Sequence, residues 1–301
     1  MTLVHSRWYQ LTVVALWLSS MTWLAYRKVL PPMLVGEPPS ALEILAAQRE
    51  EPAVGWSISW KERRLGWAVS QTRPLPQGLT EVRSRVHFDK LPLREMLPPG
   101  LRGLLPSQDP LAELPPGEAT SELVFDPLGR LSRFVSAIGF DPRQDLLKFE
   151  GAIDGPNMSL RVRYGESAPE EVKVRVPRNI MLRDALSPQS RLPGLREGQT
   201  WTVESYSPLQ GHDSPTEILE ARVESRTRMT WNGQAGWTWL VVYRKDPGAV
   251  QSGDGPRARL WVRDDGTVLK QEVTLLGATL TLVRLPDDKA AALAERLGMV
   301  P

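Results

Sequence analysis

Between Ala53 and Leu285 the chain repeats one phrase: a short segment whose apolar residues fall at every second position, then a turn. AVGWSISW (53–60) sets Trp56, Ile58 and Trp60 on one face, and TEVRSRVHF (80–88) sets Val82 and Val86 opposite to Arg83 and Arg85. A period of two is the signature of a strand with one buried face, so the body is expected to be mainly β. Further strands are expected at 66–72, 121–126, 131–140, 146–154, 159–164, 170–176 and 200–206. The series continues at 218–231, 236–246, 258–265, 267–276 and 278–285. Asn232-Gly233, between two such runs, predicts a tight hairpin. The 27 prolines and 23 glycines supply the turns and argue against a helical body.

Three short stretches depart from this rhythm. From Trp8 to Tyr26 the chain carries nineteen uncharged residues with aromatics at both ends, Arg7 before and Arg27 and Lys28 after. That length, as a helix, covers about 28 Å, so a single transmembrane span is expected, with the bilayer as partner through residues 8–26. A cleaved secretory signal is the alternative, although the apolar run continues through Trp23, Leu24 and Ala25, beyond a usual signal core. As a signal-anchor it would export the β domain to the non-cytoplasmic side, while the flanking charges lean weakly the other way. Residues 29–52 read as a proline-rich linker and a short helix opened by a Ser40/Glu43 capping box. At the C-terminus, PDDKAAALAERLGM reads as a helix with acidic residues in its first turn and a stop at Gly298.

The strand series is expected in two modules, residues 53–176 and 177–301, after an anchor at 1–28. In each, a Trp is followed by a turn and a Gly-Trp that opens the returning strand: Trp60 and Gly66-Trp67, then Trp231 and Gly236-Trp237. That similarity suggests a duplication, against the alternative that hairpins recur in any meander. Residues 91–117, rich in leucine and proline, read as an insertion in the first module. They could serve as a lid, touch the membrane or lie as a loop against the sheet.

Chemistry is sparse. With no cysteine, thiol catalysis and Cys-ligated metals are excluded, and three histidines at 5, 87 and 212 offer no metal-binding spacing. Neither a cofactor nor a metal site is expected. His212, Asp213 and Ser214 are the residue types of a hydrolase triad, but neighbours in one loop cannot line up as nucleophile, base and orienter. Charges of 37 and 35 are interspersed, which leaves no footprint for nucleic acid. Asp126, Asp264 and Asp265 lie beside turn glycines, where Asp bonds to its own backbone. A carboxylate-dependent hydrolase remains open, since sequence does not measure the separation of two acids.

Eight of the eleven tryptophans lie beyond residue 26. Trp56, Trp60, Trp67, Trp231, Trp237, Trp239 and Trp261 are the candidates for a ligand-facing surface, with core packing as the competing role.

The run RLWVRDDGTVLKQEVTLLGATLTLVRL, with LPGLREGQTWTV upstream (about 192–285), resembles β-rich modules of bacterial envelope proteins, including ones that precede transglutaminase-like domains. It more distantly resembles the half-barrels of the LolA/LolB lipoprotein-carrier superfamily. The resemblance implies a curved antiparallel sheet around a helix with a concave apolar face. It does not extend to a catalytic domain or a nucleophilic cysteine. The expected function is therefore a membrane-anchored, non-enzymatic binding or scaffolding domain for a protein partner, or a carrier or sensor of a hydrophobic ligand.

Overall fold

The structure, a computed structural model, describes residues 7–26, 38–92, 115–141, 143–155, 157–175, 188–206, 216–245, 255–275 and 278–299. The described residues include three α-helices, α1 (Arg7–Leu24), α2 (Ala41–Arg49) and α3 (Asp287–Arg296), of which α2 and α3 pack on the sheet. The strands are β1 (Val54–Trp60), β2 (Arg63–Pro74), β3 (Thr80–Phe88), β4 (Gly117–Phe125), β5 (Leu131–Phe140), β6 (Arg143–Asp154) and β7 (Asn157–Tyr164). Then come β8 (Glu170–Arg175), β9 (Thr200–Tyr206), β10 (Thr216–Trp231), β11 (Gln234–Lys245), β12 (Ala258–Val262), β13 (Val268–Leu275) and β14 (Ala278–Arg284).

All fourteen strands join one antiparallel sheet in the order β8-β7-β6-β5-β4-β3-β2-β1-β14-β13-β12-β11-β10-β9. Each strand pairs with its sequence neighbours, and β1 also pairs with β14, Trp56 lying opposite Arg284. Sequence order is broken only between β8 and β9, which are the two edges. The two expected modules thus share a single sheet.

The sheet curls on itself. Val203, Ala221 and Val223 of β9 and β10 belong to the same buried cluster as Ala68, Val86 and Ala119 of β2 to β4, many strands away along the ladder. Around them pack Trp56, Ile58, Trp60, Tyr243, Leu260 and Leu282. A second cluster, on β4 to β7, joins Leu123, Phe134, Phe149, Met158, Leu160 and Val162. By the alternation of the pleat all of these face the concave side. The convex side is charged over β2 to β4, where Arg73 and Arg83 hold Glu81, and Arg85 meets Glu118 at 2.6 Å. There α3 covers a patch, with Leu293 and Ala294 on Ala53 and Val69.

The capping box that opens α2 forms as expected: the Glu43 N–H donates to Ser40 Oγ at 3.2 Å, and the Ser40 N–H to Glu43 Oε2 at 2.7 Å. The same bonds, backbone first, lower the Glu43 pKa. Helix α2 lies at one end of the roll. Its Ile44 joins the large concave cluster, Arg49 bonds to Thr80, and Leu42 packs against Gly129 in the β4–β5 turn.

Helix α1 forms where the N-terminal span is expected, and its residues 8–26 are exposed. The spanning expectation needs correction. Gln10, the hydroxyls of Thr12, Ser19, Ser20 and Thr22, and the tryptophans dilute its apolarity, and no helix among the described residues is long and apolar enough to cross a membrane. Most of the 91–117 stretch and His212 to Ser214 lie outside the described residues.

The two Gly-Trp pairs differ sterically. A Cβ at Gly66 would overlap the carbonyl oxygen of His87 on β3, whereas nothing stands within 4 Å of one at Gly236. Gly66→Ala is expected to cost roughly 2 kcal/mol or more, and Gly236→Ala to stay within about 0.5 kcal/mol of wild type, in urea denaturation.

Candidate ligand-binding face

Of the seven tryptophans singled out in the sequence, Trp56 and Trp60 lie in the concave core, and Trp56 is 0% exposed. Trp67, on the convex side, stacks on His87 with ring centroids 5.3 Å apart. Trp261 carries the Lys270 ammonium 4.2 Å from its ring centroid, and Trp239 the Arg226 guanidinium at 4.5 Å. Trp237 is 57% exposed. They do not converge on one patch.

Trp231 and Trp237 sit on a projecting ribbon. Strand β12 pairs with β11 only as far as Trp239, and β9 with β10 only between Thr216 and Arg222. Among the described residues, 227–231 and 234–238 consequently pair with each other alone. An isolated two-stranded ribbon is marginal in water, so this one needs fastening. The Trp231 indole N–H donates to the carbonyl of Arg284 at 2.8 Å, and Arg226 meets Asp264 at 2.5 Å. The turn itself has Asn232 and Gly233 at φ of 49° and 75°, as the Asn-Gly pair predicts.

That carbonyl belongs to a buried ion cluster at the α2 end. Glu51, just after α2, meets Arg284 of β14 at 3.1 Å and Arg191 of the segment before β9 at 2.9 Å. Arg191 also donates to the carbonyl of Asp265 and to Thr267 Oγ1 at 2.9 and 3.1 Å. The side chains of Glu51 and Arg284 are each 7% exposed. One carboxylate thereby ties the N-terminal entry, the segment before β9 and the last strand.

Neighbouring carboxylates do occur at Glu81 and Glu122, on the convex side. Burial and the hydrogen bond to Glu81 push Glu122 up. For Glu81 burial acts upward too, but bonds to Arg73 and Glu122 and the charge of Arg83 leave it low. The Arg73 and Arg83 ion pairs occupy Glu81, so this arrangement is an ion lattice on an outer face and not a cleft for glycoside chemistry. Among the described residues no group of three or more His, Cys, Asp or Glu is placed to hold a metal.

Turn chemistry accounts for two of the three acids beside glycines. Asp126 Oδ1 accepts the Leu128 and Arg130 N–H groups, each at 2.9 Å, and Asp265 Oδ1 accepts the Thr267 N–H at 2.8 Å. Asp264 instead pairs with Arg226.

Sequence reading missed a row of hydroxyls. Pairing sets Ser70 opposite Ser84, Ser84 opposite Ser121 and Ser121 opposite Ser136, four serines abreast across β2 to β5. They share the concave face with Ala68, Val86, Ala119 and Ile138 on one side of the row and Thr72, Val82, Leu123 and Phe134 on the other. The row therefore divides the two apolar clusters. Ser70, Ser84 and Ser121 are 7%, 5% and 5% exposed.

No family model matches the sequence, and no curated protein matches it. Among solved structures the chain is similar to a β-barrel-like protein of domain of unknown function DUF1849 from Brucella abortus. That match has 9% identity and a TM-score of 0.46, covering 77% of this chain and 94% of that one. A putative lipoprotein from Parabacteroides distasonis matches at 7% identity and a TM-score of 0.26, covering 78% and 94%. LprF from Mycobacterium bovis matches at 10% identity and 0.20, covering 83% and 94%.

Glu51→Ala should destabilise by about 3 kcal/mol, since it removes the carboxylate shared by Arg191 and the buried Arg284 and leaves Arg284 only Asp287 at 3.8 Å; replacing Glu51, Arg191 and Arg284 together with apolar residues should recover most of that loss in urea denaturation. For Asp126, burial acts upward, but the Arg130 and Leu128 bonds outweigh it and hold the carboxyl below its ordinary 3.8. A depressed folded-state pKa stabilises the protein above the unfolded value and is lost as pH falls through the folded one. The cost of Asp126→Ala, read from urea midpoints, should therefore be full at pH 7 and shrink below about pH 3.8.

Proposed function

We propose that this is a membrane-tethered, non-enzymatic binding protein that holds a hydrophobic ligand against the concave face of its curled sheet. The observation that carries the reading is the extent of that apolar face. It runs from the large cluster through Leu123, Phe134, Phe149 and Leu160, and reaches Val172 on the free edge strand β8. A roll whose only need was a core has no reason to carry apolar side chains to an unpaired edge, whereas a ligand entering between β8 and β9 would use them.

The tether is the exposed helix α1. Trp8, Leu11, Leu16, Trp17, Trp23 and Tyr26 are more than half exposed, a surface suited to the interfacial and acyl layers of a bilayer. Helix α2 is the first described element of the body after α1 in sequence, and it lies at the end of the roll that holds the Glu51 cluster. An envelope location is part of the same proposal.

A second reading, a protein partner added as a strand, is favoured by β8 and β9, whose outer backbone groups pair with no strand among the described residues. Native mass spectrometry of the full chain, released from detergent after expression in a lipid-rich host, separates the two. Hydrophobic adducts that survive loss of the micelle are expected, and a bare protein mass would sink the ligand reading. With Leu11, Val14 and Leu18 changed to Lys, the protein should also move from the membrane fraction to the supernatant at physiological salt.

A further inference from the structure

A buried hydroxyl row is an odd component of an apolar interior. Alanine or valine would fill these positions with no demand for a hydrogen-bond partner, and the serine hydroxyls are not among the wholly buried, unpartnered atoms, so they remain open to one. Ser136 donates to Ser121 at 3.3 Å, but the hydroxyls of Ser70 and Ser84 make no hydrogen bond among the described residues. A second donor lies on the same face by an independent route. The indole N–H of Trp56, on β1 beside β2, is wholly buried and has no partner among the described residues. An indole offers a proton and cannot accept one, so what completes this set must be an acceptor.

Position narrows the acceptor further. Strands lie about 4.8 Å apart, so four serines abreast span roughly 14 Å across the sheet. Apolar surface lies on both sides of that line, with Val86 and Ala119 of one cluster to one side and Leu123 and Phe134 of the other to the opposite side. A free fatty acid carries its polar group at one end and would leave the row beneath its chain. A molecule with acceptors at the junction of two long apolar parts fits both sides at once, and an acyl ester is such a group.

Resting on the reading of the concave face as a ligand surface, we infer that Ser70, Ser84, Ser121 and the Trp56 N–H form a subsite for the ester carbonyls of an acylated lipid, whose chains lie along the two apolar clusters. The hydroxyls donate to the carbonyl oxygens, and the row fixes how deep the ligand sits.

The test loads the full-length protein in detergent with equal amounts of a dioleoyl diester phosphatidylcholine and its diether analogue, and counts the retained lipids by native mass spectrometry. Lipid adhering to α1 contributes alike to wild type and to the serine and Trp56 variants, so the change of ratio between them reads the concave face. Wild type is expected to retain the diester in about tenfold excess, the value of one to two hydrogen bonds. Ser84→Ala with Ser121→Ala should bring the ratio below about threefold, and Trp56→Phe, which keeps the ring, should lower it. Ser159→Ala, on the opposite face of β7, should leave it unchanged. A wild-type ratio near one overturns the subsite while leaving the ligand surface standing, as does a double variant that folds and keeps the tenfold preference. Retention of neither lipid overturns the ligand reading itself. If the double variant fails to fold, the wild-type ratio and Trp56→Phe still decide the question.

Discussion

The pairing of the first strand with the last is the constraint on which everything else rests. Trp56 to Ser59 of β1 lie against Thr281 to Arg284 of β14, more than two hundred residues away in sequence, and every other ladder joins strands that follow one another. Without that seam the chain would be two meanders, one of eight strands and one of six. With it, the curl of each half continues into the other and their apolar faces share one interior. Glu51 and Arg284 sit where the seam meets the α2 end, so their ion pair secures the ladder at the place where its strands would otherwise fray.

Local pattern made the strands legible. The alternation of Val82, Val86 and the intervening arginines marks β3 to the residue, and Asn232-Gly233 marks the tip of the β10–β11 hairpin, because both signals depend on neighbours in sequence. The β1–β14 seam had no such signal. Nor did the curl: whether Trp56 faces a ligand or a packed core depends on which distant strands roll over it. The tryptophans were conspicuous one at a time, yet the structure distributes them among the core, an indole-to-carbonyl bond and cation contacts.

The serines show the converse. Ser84 stands between Val82 and Val86, at an inward position that alternation alone identifies, and Ser70, Ser121 and Ser136 are each unremarkable in their own strands. Only the register of three successive ladders sets them side by side. The expected span differs from the structure for another reason. Lack of charge is not apolarity: Gln10 and the hydroxyls within α1 hold it below what crossing a bilayer requires.

The break between β8 and β9 gives the roll a freedom that a closed barrel lacks. In a closed ring, strand number and stagger together fix the circumference, and widening it means breaking a ladder. Among the described residues thirteen ladders run from edge to edge, and no backbone pairing joins β8 to β9. The radius is therefore set by side-chain packing on the concave face, so the sheet can coil more tightly or loosen as that packing changes while every backbone hydrogen bond of the ladders stays in place.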